Sequence, residues 1–233
     1  MIKRLLRPMF NTAGSWYYRA RAKAPVLRFI NRDASRRYRA RPDPLNTYEQ
    51  GILSELQANG IASASAVDLI GHEQFSELSH YAMQRWQSPE VQKEVETHRT
   101  VLSGEREKSG MKKAFLVNLW EGEAIIDLNH PYIQFSLSAP VLKIVNAYLE
   151  QYSKFRAWRF EATIPMPEGV RAQSSQRWHR DEEDIKLVKV FLYLNDVDKE
   201  TGPFTYLAGS QPGGRWAKIA PHRFAKNSFR TSR

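Results

Sequence analysis

QRWHRDEEDIKLVKVFLYLNDVDKETGPFTYLAGSQPGG, residues 176–214, is the stretch whose reading decides the fold. Gln176 to His179, Leu187 to Leu194 and Phe204 to Leu207 are short runs rich in branched and aromatic residues, parted by turn signals such as Gly202-Pro203, and each reads as a strand. On the longest run Leu187, Lys189, Phe191 and Tyr193 share one face, while Val188, Val190, Leu192 and Leu194 share the other. The all-aliphatic face suits a core. At the mouth of the first run, His179 and Asp181 stand two apart, a spacing that lets both side chains reach one metal ion because alternate strand residues share a face. Such a pair supplies two ligands of a 2-His-1-carboxylate site, which leaves positions on Fe(II) open for a cosubstrate and dioxygen.

Upstream, Phe155 to Ile164 alternates in the same way and predicts another strand, ended by Pro165 and Pro167. Before it the pattern turns helical. Ser138 is placed to cap a helix with Pro140 in its first turn and Val141, Leu142, Val145, Tyr148 and Leu149 on its buried side. Ala114 to Val117 is a short strand or a buried helical turn, and residues 103–112 form a polar loop. Pro89 opens a charged helix running to about Leu102, and an amphipathic helix over 72–86 carries Phe75, Leu78, Ala82 and Trp86 on one face. Thr47-Tyr48-Glu49-Gln50 has the form of a capping box, ahead of Ile52, Leu53 and Leu56, with Gly60 placed to end a helix over 47–59. Helices first and sheet afterwards predict an α+β fold with an antiparallel β-core. The predicted organisation is an arm over 1–44 and a domain over 45–233, helical over 45–150 and β over 151–233.

Composition restricts the chemistry. The chain has 233 residues, 42% of them hydrophobic, which is enough for a packed core. It has no cysteine, so disulfides, thiolate metal sites and thiol nucleophiles are excluded together, and any metal must sit on His, Asp, Glu or backbone oxygen. Apolar runs fall short of a membrane span, and Arg7-Pro8 cuts off Leu5-Leu6 before it can form a signal-peptide core. A protein of a reducing compartment, the cytoplasm, is expected. The net charge of +10 belongs to the arm: residues 1–44 hold 12 Lys and Arg against Asp33 and Asp43, and the remaining 189 residues hold 23 basic and 23 acidic side chains. Arg and Tyr interleaved in the arm suit phosphates and bases or an anionic membrane surface, or else a solvated terminus or a targeting segment. The neutral body argues against nucleic acid as the main partner.

The stretch 176–214 resembles the phytanoyl-CoA dioxygenase family of non-haem Fe(II)- and 2-oxoglutarate-dependent oxygenases. The resemblance lies in Trp178-His179-Arg180-Asp181, the run Lys189 to Leu194, Asp196-Val197-Asp198 leading to Gly202-Pro203, and the turn at Gly209-Ser210. It is specific over this stretch, diffuse over 45–175, and does not include the arm. It implies a double-stranded β-helix of jelly-roll or cupin type carrying the helices, with His179 and Asp181 as iron ligands. It also implies that the strand after them lines the 2-oxoglutarate pocket, with Phe191 against the cosubstrate and Lys189 as the nearest cation for its carboxylate; Lys189 reads equally well as a rim residue reaching solvent. The expected partners are a small organic substrate and dioxygen.

The sequence departs from the family at two places. Gln211 stands after Gly209-Ser210 where similar proteins commonly have His. The family's third ligand and its 2-oxoglutarate-binding Arg lie some tens of residues beyond that turn, whereas 23 residues follow Ser210 here. His222 is the only histidine among them, and its setting, Ala220-Pro221 before and Arg223-Phe224 after, does not look like a core strand. A closed double-stranded β-helix needs about eight strands. The expectation is therefore a truncated form of a longer protein, or one whose open sheet a partner covers. Two readings follow: a dioxygenase, inactive if truncated, or a catalytically dead relative that binds a metabolite or protein.

Overall fold

The computed structural model describes residues 24–104, 113–121, 127–166, 176, 178–179, 186–199 and 201–218. Their helices are α1 (Ala24–Ile30), α2 (Arg32–Ala40), α3 (Thr47–Asn59), α4 (Ala66–Ile70), α5 (His72–Gln87), α6 (Pro89–Leu102), α7 (Pro131–Ser136) and α8 (Ala139–Leu149). The strands β1 (Leu116–Asn118) and β2 (Glu161–Thr163) pair antiparallel, with Leu116 opposite Thr163 and Asn118 opposite Glu161. Among the described residues no helix is long and apolar enough to cross a membrane.

The predicted helix over 47–59 forms within those bounds, but its cap lies one residue earlier than Thr47. The Asn46 side chain accepts from the Glu49 amide and the Glu49 carboxylate accepts from the Asn46 amide, a reciprocal capping box. Gly60 ends the helix in the left-handed region at φ 75°. Glu49 is buried, and its other oxygen lies 3.9 Å from Lys143 of α8, along which α3 packs. α5 and α6 also occupy the predicted segments. The Ser88 side chain joins them by accepting from the Val91 amide while Pro89 takes the first helical position. Ser138 is the N-cap residue of α8, yet its hydroxyl makes no capping bond and is buried with no partner among the described residues. The buried side of α8 is Val141, Ile144, Asn146 and Tyr148, so Ile144 replaces Leu142 and Leu149 as the inward position.

Two apolar clusters hold these elements together. In one, Val91, Val95 and Leu102 of α6 pack on Val117 of β1 and on Phe160 and Ile164 at either end of β2. In the other, Leu78 of α5 meets Phe135 of α7 and Val141 of α8, with Leu69 and Ile70 of α4 against them. Leu194 touches both clusters and Leu192 the second, so the C-terminal stretch is tied into the helical core by its aliphatic face.

The sheet is shorter than the sequence predicts. Phe155 to Ile164 pairs only over Glu161–Thr163, extended by the Leu119 amide donating to the Phe160 carbonyl and the Ile164 amide to the Phe115 carbonyl. A ladder lasts only as long as its partner, and β1 ends where the Asn118 side chain accepts from the Trp120 amide and turns the chain. Leu187 to Leu194 and Phe204 to Leu207, expected as strands, form no ladder with another described segment. The double-stranded β-helix that the resemblance implies needs about eight strands; the described residues supply two.

Candidate functional site

Trp178 and His179 are both exposed, Trp178 at 60%. Asp181, the other half of the expected metal pair, lies outside the described residues, as does His222. Among the described residues no three His, Cys, Asp or Glu side chains come together as a metal-binding group.

The run after them divides its faces much as the alternation predicts. Leu192 and Leu194 turn into the core, while Lys189, Phe191 and Tyr193 are exposed. Val190 is the exception, at 51% exposure. Phe191 stacks on Phe204 with ring centroids 4.5 Å apart, and the Tyr193 hydroxyl accepts from the Phe204 amide at 3.1 Å. The expected cosubstrate residues Lys189 and Phe191 thus share an open aromatic face with Tyr193 and Phe204. Between the runs, the Thr201 hydroxyl accepts from the Asp198 amide and the Asp198 carboxylate from the Thr201 amide, a closed turn that delivers Gly202 at φ 77° to Thr163 of β2.

The Gly209-Ser210 turn is seated on the C-terminal end of α3. The Gly209 amide donates to the Asn59 carbonyl at 2.7 Å, and the Gln211 side-chain amide donates to the carbonyls of Gln57 and Ala58. These are carbonyls that a helix end leaves without intrahelical partners. Gln211 is therefore a buried clamp, which its polarity and its place between Ser210 and Pro212 do not reveal from sequence.

A cleft elsewhere has no counterpart in the sequence analysis. Arg85 of α5, Glu90, Val91 and Glu94 of α6, Asn118 of β1, Trp120 and Glu121 line a cleft of about 360 Å³. Arg85 is held there by donating to the Leu119 carbonyl at 3.0 Å and by pairing with Glu121. Three carboxylates beside one guanidinium and an indole favour a cationic or hydrogen-bonding ligand.

Next to Trp120 sits His130, its ring 4.3 Å away. Its Nδ1 accepts from the Tyr132 amide at the start of α7, and its Nε2 lies 3.1 Å from the Tyr81 hydroxyl. Burial lowers the imidazole below its ordinary value of 6.5, against the opposing pull of Asp127 and Glu121. Both bonds suit the neutral ring, since protonating Nδ1 removes the acceptor. A group held below its unfolded value contributes stability in full above about pH 6.5, and loses it as pH falls through the lowered folded value. Urea midpoints measured from pH 7.5 down to 5 should fall more steeply for the natural chain than for His130→Asn, which keeps a capping oxygen and cannot titrate. Equal slopes would remove His130 from the acid response.

No family model matches the chain, and neither a curated protein nor a solved structure matches it. A functional reading therefore rests on the residues of 176–214 and the face they form.

Proposed function

We propose that this chain is a non-haem Fe(II)- and 2-oxoglutarate-dependent dioxygenase of the phytanoyl-CoA dioxygenase type, acting on a small organic substrate in the cytoplasm. The observation that carries the reading is Trp178-His179-Arg180-Asp181 followed by an aromatic face of Lys189, Phe191 and Tyr193. His179 and Asp181 would hold the iron: imidazole and carboxylate, in a chain without thiols, are the donor types of an Fe(II) facial site. When bound, the iron supplies the oxidation, in which 2-oxoglutarate and dioxygen become succinate and CO2 while one oxygen atom enters a C–H bond of the substrate. The protein's part is to bind and orient. The Lys189 ammonium is the cation offered to a cosubstrate carboxylate, and Phe191, braced by Phe204, is the apolar wall beside it.

Anaerobic titration with Fe(II), followed by a coupled succinate assay, tests this reading. His179→Ala should weaken iron binding by more than the roughly 10- to 100-fold that loss of an outer-shell partner costs, and Lys189→Met should weaken 2-oxoglutarate binding with iron affinity unchanged. Iron affinity untouched by His179→Ala would overturn the proposal in favour of a catalytically dead relative that binds a metabolite or protein.

A further inference from the structure

The basic arm carries a surface that the proposed chemistry does not use. Over residues 24–44 six arginines face two aspartates, and Arg28, Arg32, Arg36, Arg37, Arg39 and Arg41 are all exposed. Val26, Phe29 and Ile30 of α1 are spaced three and four apart, so they share one face, and they are 37%, 65% and 50% exposed. The Arg32 guanidinium lies 4.7 Å from the Phe29 ring centroid, which joins the apolar face of α1 to the arginine stripe of α2.

This pair of helices is fastened to the body from the opposite side. Tyr38 of α2 is buried edge-on against Tyr152, 5.6 Å between centroids. The Tyr152 hydroxyl donates to the Arg41 carbonyl, the Tyr152 amide to the Ala34 carbonyl, and the Ser35 hydroxyl to the Gln151 side chain. The inner face of α2 is thus occupied by Ala34, Ser35 and Tyr38, and the arginines are left on the outside.

We infer that α1 and α2 form a docking surface for an anionic lipid membrane. Val26, Phe29 and Ile30 enter the boundary between headgroups and acyl chains, and the arginines engage the lipid phosphates and carboxylates. Charge complementarity selects the partner: exposed guanidinium groups around an apolar patch match an anionic interface, where each basic residue strengthens binding about fivefold. Two of the three apolar side chains are aliphatic, which gain from acyl chains and offer no ring for a nucleic-acid base to stack on. The neutral body adds no competing attraction, so the surface orients the domain with its arm towards the lipid.

The test uses the full chain with phosphatidylcholine vesicles, with and without about a third phosphatidylserine, where attraction to anionic lipid is expected. Binding should require phosphatidylserine and weaken as salt is raised. Arg32→Gln with Arg36→Gln and Arg39→Gln should lower it on the order of a hundredfold, following the per-residue factor above, and Phe29→Ser with Ile30→Ser should lower it at fixed charge. Because the chain has no cysteine, a polarity-sensitive dye on Phe29→Cys reports only that position. Its emission should shift to the blue on anionic vesicles and stay unchanged with single-stranded RNA. Equal binding to both vesicle types, vesicle binding unaffected by the α1 and α2 substitutions, or a dye response to RNA alone would each overturn the inference.

Discussion

Leu78→Ala should lower the free energy of unfolding by about 4 kcal/mol, within the range of buried Leu→Ala substitutions. Leu78 has no exposed surface and sits where α5, α7 and α8 meet, against Phe135 and Val141, with Leu69 and Ile70 beside it and Leu192 and Leu194 closing the cluster from the C-terminal stretch. Truncation removes the transfer free energy of the side chain and leaves a void. The surroundings have little freedom to fill it: the Tyr132 hydroxyl donates to the Leu78 carbonyl at 2.7 Å and holds the start of α7 to the middle of α5. Burial drives the Tyr132 phenol far above its ordinary value, so that bond persists across the whole working pH range. A loss of about 4 kcal/mol is roughly a quarter or more of the stability of an ordinary domain. Urea unfolding followed by helical circular dichroism should show it as a lower midpoint at unchanged slope. Leu78→Met, which conserves volume, should cost less than about 1.5 kcal/mol. A Leu78→Ala cost equally small would mean that this cluster is not the junction between the helices and residues 187–194.

The helices were legible because their signals are local. Pro89 after Ser88, Gly60 after a regular apolar pattern, and Pro140 in the first turn of α8 mark boundaries through capping and backbone chemistry that needs no tertiary partner. Even there the cap of α3 was displaced by one residue, since Asn46-Glu49 and Thr47-Gln50 are both competent boxes and only the folded chain chooses between them. The strands were less legible because strand bounds depend on the partner. Phe155 to Ile164 has strand composition throughout, but β1 offers it three residues. The site divides in the same way. His179, Lys189 and Phe191 are candidates from a motif and a family resemblance, and what the structure bears on is the shared exposed face of Lys189, Phe191 and Tyr193, which follows the alternation of the run. Arg85, Trp120 and Gln211 could not be named, because a cleft and a clamp are assembled from residues far apart in sequence: Gln211 meets Gln57 and Ala58 across more than 150 positions.

That long-range clamp supplies the other large effect. Gly60→Ala should cost about 3 kcal/mol, combining the strain of a side chain in the left-handed region with overpacking against the tethered side chain of Gln211. Gly60 has φ 75°, and a methyl group there would stand 2.5 Å from the Tyr206 hydroxyl, 2.6 Å from Gln211 Oε1 and 2.9 Å from Gln211 Cβ. Gln211 is only 7% exposed and already bonded to two carbonyls of α3, so relieving the contact means giving up those bonds. Tyr206 is freer to yield. On a Tyr206→Phe background the same Gly60→Ala change should therefore cost less, by a coupling of about 1 kcal/mol typical of touching side chains. Denaturant midpoints of the two single variants and the double variant measure that coupling. An additive result, or a Gly60→Ala cost no greater than about 1 kcal/mol, would show that the Gly209-Ser210-Gln211 turn does not rest on the end of α3. A large, coupled cost would mean that the end of α3 fixes the position of the turn closing residues 176–214. In that case the face of Lys189 and Phe191, proposed above for a cosubstrate, would depend on a glycine more than 100 positions upstream.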